Sequence, residues 1–164
     1  MREEQRLFLV QAKSAYEVYR LLKADQSLHH CHALHYLQMA TELLGKANAW
    51  KNGPIGKSHK ALVIFLRGLS SNTKAQTRLG YGGRNESWTN TIRKITPIAE
   101  RLQKLAPALA NDGPNPEYPW PADAPTKTPV EYSFSIWEEL TETSSGRSLL
   151  SIIDRLFTSA EEYM

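Results

Sequence analysis

The sequence predicts an all-α protein: an up-and-down bundle of about five helices, with a proline-rich ordered loop before the last one. Three observations lead there. Apolar residues recur at intervals of three and four through most of the chain. The alternation of two that marks a strand is confined to Val130, Tyr132, Phe134 and Ile136. Six of the nine prolines fall within residues 112–129, a density that excludes both helix and central strand. At 164 residues the chain is enough for one sizeable core, so residues 1–164 are expected to form a single helical domain, with 112–136 as an excursion from it.

The first helix, Glu3 to Ala24, carries Phe8, Ala12, Ala15, Tyr19 and Leu22 on one face. Asp25-Gln26-Ser27 stops it, and Asp25 and Ser27 are both suitable N-caps for the next helix. That second helix, Leu28 to Lys51, has two adjoining apolar stripes, one through Tyr36, Ala40, Leu43, Ala47 and Trp50 and one through Ala33, Leu37 and Leu44. A face that wide packs against more than one neighbour. Asn52-Gly53-Pro54 ends it. Ser58 can cap a third helix from His59 to Leu69, apolar nearly all round and therefore expected to be buried. Ser70 to Gly83 is polar and basic and reads as a flexible loop ending in Gly80-Tyr81-Gly82-Gly83. Trp88, Ile92, Ile95, Ala99, Leu102 and Leu109 then form the clearest heptad, with Asn85 as cap and Pro97 as a kink or a delayed start. Tyr118 and Trp120 pin the proline-rich loop to the body. Val130 to Ile136 reads as a short extended piece, and Arg147 to Glu162 as the last helix.

The composition excludes several functions. No run of eighteen apolar residues provides a membrane span, and no charged segment leads into an apolar one as a secretory signal does. Cys31 is the only cysteine, so an internal disulfide and a cysteine-rich zinc site are both out, and a cytoplasmic protein is expected. The net charge of +3 conceals an asymmetry. Residues 51–105 carry 11 basic and 2 acidic side chains, whereas 106–164 carry 3 basic and 10 acidic. The basic segment suits a polyanion; the alternative is that the two segments pair within the fold or between subunits.

Candidate chemistry is sparse. His29, His32 and His35 are three apart on a helix, but a metal site needs further carboxylate or thiolate ligands, so packing at a helix interface is the better reading and no metal or cofactor is predicted. Gly80 to Asn85 is a glycine-rich turn before a helix, able to cradle phosphate, although it lacks the Gly-Lys-Ser/Thr ending of a phosphate-binding loop; Lys57-Ser58 shares only a dipeptide with that ending. Cys31 lies mid-helix among apolar neighbours, as a buried inert thiol does.

The run Ala33-Leu34-His35-Tyr36-Leu37-Gln38-Met39-Ala40-Thr41-Glu42-Leu43-Leu44-Gly45-Lys46-Ala47, followed by Ser58-His59-Lys60-Ala61-Leu62, resembles the second and third helices of the HEPN family of small helical-bundle proteins. The Asn115 to Trp120 block before a final helix is similar to that family's Arg-Tyr-Pro-like turn. Catalytic members are metal-independent ribonucleases that join an Arg, a polar residue and a His across a dimer interface. That motif is absent: Arg84-Asn85-Glu86-Ser87-Trp88-Thr89-Asn90 has its spacing, but Asn90 stands where the His should be, and an amide cannot shuttle a proton. The resemblance therefore implies a non-catalytic homodimer that binds RNA, a nucleotide or a partner protein; the basic charge of residues 51–105 favours an anionic ligand, with Lys57, Lys60, Arg78, Arg84 and Asn85 as its contacts and His59 in a structural or functional role. Two alternatives stand beside it. One is a toxin-type endoribonuclease using Arg84 on the phosphorane and His59 as base. The other is a toxin–antitoxin partner of a nucleotidyltransferase, docked through the acidic C-terminal segment.

Overall fold

The computed structural model describes residues 1–50, 59–121 and 125–162. These are all-helical, with eight α-helical segments and, in place of strands, a single isolated bridge between Trp120 and Lys127. No helix among the described residues is long and apolar enough to cross a membrane.

Helices α1 (Glu3–Ala24) and α2 (His30–Ala49) form an antiparallel hairpin. Its open end is closed where the Gln5 side chain donates to the Ala47 carbonyl at 3.3 Å and Phe8 lies against Trp50. The facing stripes mix leucines with small residues, Ala12 and Ala15 opposite Ala33, Ala40 and Ala47, which lets the two backbones approach. Asp25 and Ser27 do not cap α2. Asp25 accepts from both the N–H and the hydroxyl of Ser27, closing a local turn, and α2 starts two residues later than the apolar pattern, after His29.

Helix α3 (Ala61–Leu69) comes next, two residues later than expected. Lys60 at its N-cap makes no side-chain cap, and the Ser58 expected in that role lies outside the described residues. α3 is buried on most sides, but Ile64 is 59% exposed, so the apolar character is not matched by burial all round. Its antiparallel neighbour α5 (Asn85–Gln103) closes both its ends. The buried Gln103 amide oxygen accepts from the Val63 N–H in the first turn, and the Trp88 indole N–H donates to the Leu69 carbonyl in the last. Pro97 causes no late start: α5 begins at Asn85 and runs through it, because Pro97 and Arg93 are on the exposed side, where the carbonyl freed by the ring is open to water. The expected heptad is divided, however, with Leu109 on a separate turn, α6 (Pro107–Ala110).

The stretch read as a flexible loop contains α4 (Thr73–Gln76), capped by Asn72 accepting from the Ala75 N–H, and a π turn (Thr77–Tyr81). Buried Ala75, Gln76 and Leu79 hold it to the core; three buried residues among polar ones are too few to read as a period. The alternating Val130–Ile136 stretch is also different from expectation. Pro129–Glu131 is a 3₁₀ turn, and Ser135 begins α7 (Ser135–Glu142), so Phe134 and Ile136 are buried from a cap and a helix rather than from one face of a strand. Trp120 does pin the proline-rich loop, packed against Tyr132 and Phe134 at 4% exposure, but Tyr118 points outward at 51%. Thr143 then caps α8 (Ser144–Thr158), which starts three residues earlier than the apolar pattern and ends in a 3₁₀ turn at Ala160–Glu162. Buried apolar side chains from α1, α2, α3, α5, α7 and α8 join in one cluster.

Gly45 allows a close approach of α2 to the start of α3. A Cβ there would stand 2.5 Å from the Ala61 carbonyl carbon, against rigid backbone. Gly45→Ala is expected to lower stability by about 1–3 kcal/mol in urea denaturation. Gly68→Ala, on exposed α3 surface with nothing within 4 Å of the added carbon, is expected to be neutral or to raise stability by up to about 1 kcal/mol.

Candidate functional site

One cleft of about 520 Å³ combines concavity with uncompensated charge. One wall is the glycine-rich turn, Leu79 to Tyr81 with Arg84; the other is the outward face of α8, Ser144, Arg147, Ser148, Ser151 and Arg155. The glycine-rich turn gets its shape from Gly80, whose φ of 85° puts it in the left-handed region, with Leu79 buried beneath as anchor. On α8 the polar residues recur at three and four because the opposite face, Leu149, Ile153 and Leu156, is committed to the core.

Each of the three guanidinium groups is held by backbone carbonyls. Arg155 Nη1 donates to the Leu79 carbonyl at 2.7 Å, and Arg147 Nη1 to those of Glu142 at 2.8 Å and Thr141 at 3.3 Å, at the end of α7. Arg84 donates to the Gly80 carbonyl and lies over the Tyr81 ring, 5.9 Å from its centre. Among the described residues none of the three forms a salt bridge, and no carboxylate lines the cleft. A neutral carbonyl orients a guanidinium without cancelling its charge, and five N–H donors per group leave several free for an anion.

Of the side chains expected to contact an anion, only Arg84 lines this cleft, together with Gly80 and Tyr81 of the glycine-rich turn. Arg78, one turn away, is in a salt bridge with Glu162. Asn85 is engaged in the fold, accepting from the Gln76 amide at 2.7 Å, and Asn90 accepts from Arg93. Lys60 is exposed beyond the start of α3, and Lys57 lies outside the described residues. Arg147 and Arg155 were missed because they sit in the acidic part of the chain, where charge density points the wrong way. The signal that could have found them is the spacing of Ser144, Arg147, Ser148, Ser151 and Arg155 along one helical face.

His59 belongs to a second, separate cluster. Its Nδ1 is 3.0 Å from Glu42, which also accepts from Lys46 at 2.5 Å and from the Gln38 amide at 2.8 Å. The cluster ties α2 to the residue just ahead of α3, whereas Arg84 lies beyond the other end of α3, next to Trp88 and Leu69. Within one chain His59 and Arg84 are thus not brought together. The remaining histidines are spread out. His30 stacks on Trp137 with ring centres 4.3 Å apart, His35 meets the edge of Tyr36, and His29 and His32 are exposed. No three His, Cys, Asp or Glu side chains among the described residues are placed to share a metal ion. Cys31 is buried, and desolvation pushes its thiol above the ordinary range, away from reactivity.

No protein-family model matches the chain, and no curated protein or solved structure matches it either.

Burial pushes the Glu42 carboxyl up, but the hydrogen bonds from Lys46 and His59 outweigh it and hold the group below its ordinary value. A carboxylate held low in the folded state contributes stability that is present above its unfolded pKa and is lost as pH falls through the folded one. Glu42→Gln is expected to cost about 1.5–3 kcal/mol at neutral pH, the range for hydrogen bonds to a charged group. In thermal melts the difference from wild type should shrink as pH falls below the ordinary glutamate range.

Proposed function

We propose that this protein is a non-catalytic binding protein that takes a phosphate-bearing anion, a nucleotide or RNA, in the cleft between the glycine-rich turn and α8. The observation that carries this reading is the convergence of Arg84, Arg147 and Arg155 on one concavity with carbonyls rather than carboxylates as their partners. Guanidinium groups already oriented lose little entropy on meeting a phosphate, and their planar forks match its oxygens. The hydroxyls of Ser144 and Ser151 supply neutral donors beside them, whereas that of Ser148 donates to the Ser144 carbonyl at 2.8 Å. The half-buried Tyr81 ring, flanked by Arg84, offers a face for a base.

The same reading retains the kinship with HEPN-like up-and-down bundles and their dimers. Its support is the contact of Glu42 and Lys46 on α2 with His59 ahead of α3, three polar positions of the patterns that carry the resemblance.

Isothermal titration with uridine monophosphate tests the cleft. Arg84→Ala and Arg155→Lys are each expected to weaken binding about tenfold, which corresponds to about 1.4 kcal/mol, whereas Arg78→Ala leaves it within about twofold. Binding by wild type that is absent, or that survives in an Arg84→Ala, Arg155→Lys double variant of unchanged melting temperature, would rule the cleft out.

A further inference from the structure

The cleft does not end at α8. Ser151 also lines a second depression, of about 430 Å³, whose other walls are Tyr16, Tyr19, Arg20 and Lys23 on α1 and Leu150 and Asp154 on α8. Resting on the assignment of the arginine cleft as a phosphate site, we propose that the two depressions form one groove across the outward face of α8, and that its ligand is a single strand of nucleic acid rather than a mononucleotide.

Three features of the groove support a strand. The first is continuity. The two depressions share a wall at Ser151, which is small and exposed. From Arg147 to Asp154 is seven residues of α8, about 10 Å at the helical rise, which is longer than one phosphate group.

The second is charge. Arg20 and Lys23, like the three cleft arginines, form no salt bridge among the described residues. The basic residues that do sit nearby in the same part of the fold, Lys13 and Arg78, are neutralised by Glu161 and Glu162 of the C-terminal 3₁₀ turn. Positive charge is therefore left open along the groove and quenched beside it. The one acid in the groove, Asp154, accepts from the Tyr16 hydroxyl at 3.2 Å and is outnumbered by the basic groups along it.

The third is rigidity of the floor. Tyr16 stacks on Phe157 with ring centres 4.1 Å apart and is buried, as is Tyr19, so the α1 side is a fixed wall and not a mobile flap. A path made of two depressions that meet at Ser151 fits a flexible strand, whose backbone can follow it, better than a straight duplex. Positive grooves that track a backbone, with an aromatic face for a base at one point, are the usual way single strands are held without sequence readout. Here that face is Tyr81.

Fluorescence anisotropy with a labelled short oligouridylate, beside titration with uridine monophosphate, tests this on the full chain. Arg20→Ala/Lys23→Ala is expected to leave monophosphate binding unchanged. It should weaken oligouridylate binding about tenfold at low salt and reduce the salt slope by about 1.4, since each phosphate contact on a single strand contributes about 0.7. The melting temperature, checked alongside, should not move. If the double variant binds oligouridylate as wild type does while both bind the monophosphate, the extended groove is wrong and the arginine cleft stands. If wild type binds neither probe, the cleft assignment fails and the groove with it. Equal affinity for a hairpin duplex of the same length would overturn the single-strand assignment.

Discussion

Nine residues of α3 cannot close their own ends, and the way α5 closes them governs much of the structure. Lys60 supplies no cap, and α3 is too apolar to leave orphan backbone groups facing neighbouring helices without cost. Gln103 and Trp88, at opposite ends of α5, reach one orphan donor and one orphan acceptor. Because the two contacts are nearly a helix length apart, they set both the antiparallel direction and the register of α5 on α3. They also set where α5 begins, and therefore where the glycine-rich turn must lie.

The cleft is a consequence of that placement. Trp88 lies under Tyr81 with ring centres 5.0 Å apart, so holding Trp88 to α3 also holds the turn that carries Arg84. The opposite wall depends on the sharp corner between α7 and α8, which is possible only because residue 146 is glycine: a Cβ there would stand 2.0 Å from the Glu139 carbonyl oxygen. Arg147, the next residue, closes the corner by donating to the last carbonyls of α7. The same guanidinium that finishes a helix junction is thus presented to the cleft, and Arg155 does the equivalent for the turn at Leu79. Structural roles and the proposed binding roles are compatible in these side chains, since capping a carbonyl uses one or two of five donors.

Much of the helical layout was legible in the sequence, element by element. The stripe through Ala12, Ala15 and Tyr19, the Ala33, Leu37 and Leu44 stripe of α2 and the run from Trp88 to Leu102 all proved to be buried faces, whereas Tyr36, Leu43 and Trp50 of the other α2 stripe are half-buried. The failures share a cause. α4 and α7 are short, four and eight residues, and a period of 3.6 has little room to declare itself over one or two turns. In α7 the coincidence of Phe134 in a cap with Ile136 in the first turn imitated the alternation of a strand.

Local chemistry was therefore determined by the sequence alone: which of the longer segments are helical, which face of each is apolar, that the proline-rich residues 112–121 are not α-helical, and that Cys31 has no partner for a disulfide. Periodicity and composition are properties of one segment, and the sequence carries them without reference to any other. Which side chains meet was decided only by the tertiary structure. It withdrew Arg78 to Glu162 and His59 to Glu42, and it brought Arg84 from a basic segment beside Arg147 and Arg155 from an acidic one. Charge summed along a chain does not report charge summed across a cleft, because neighbours in the cleft are chosen by helix packing and by the two close approaches at Gly45 and Gly146.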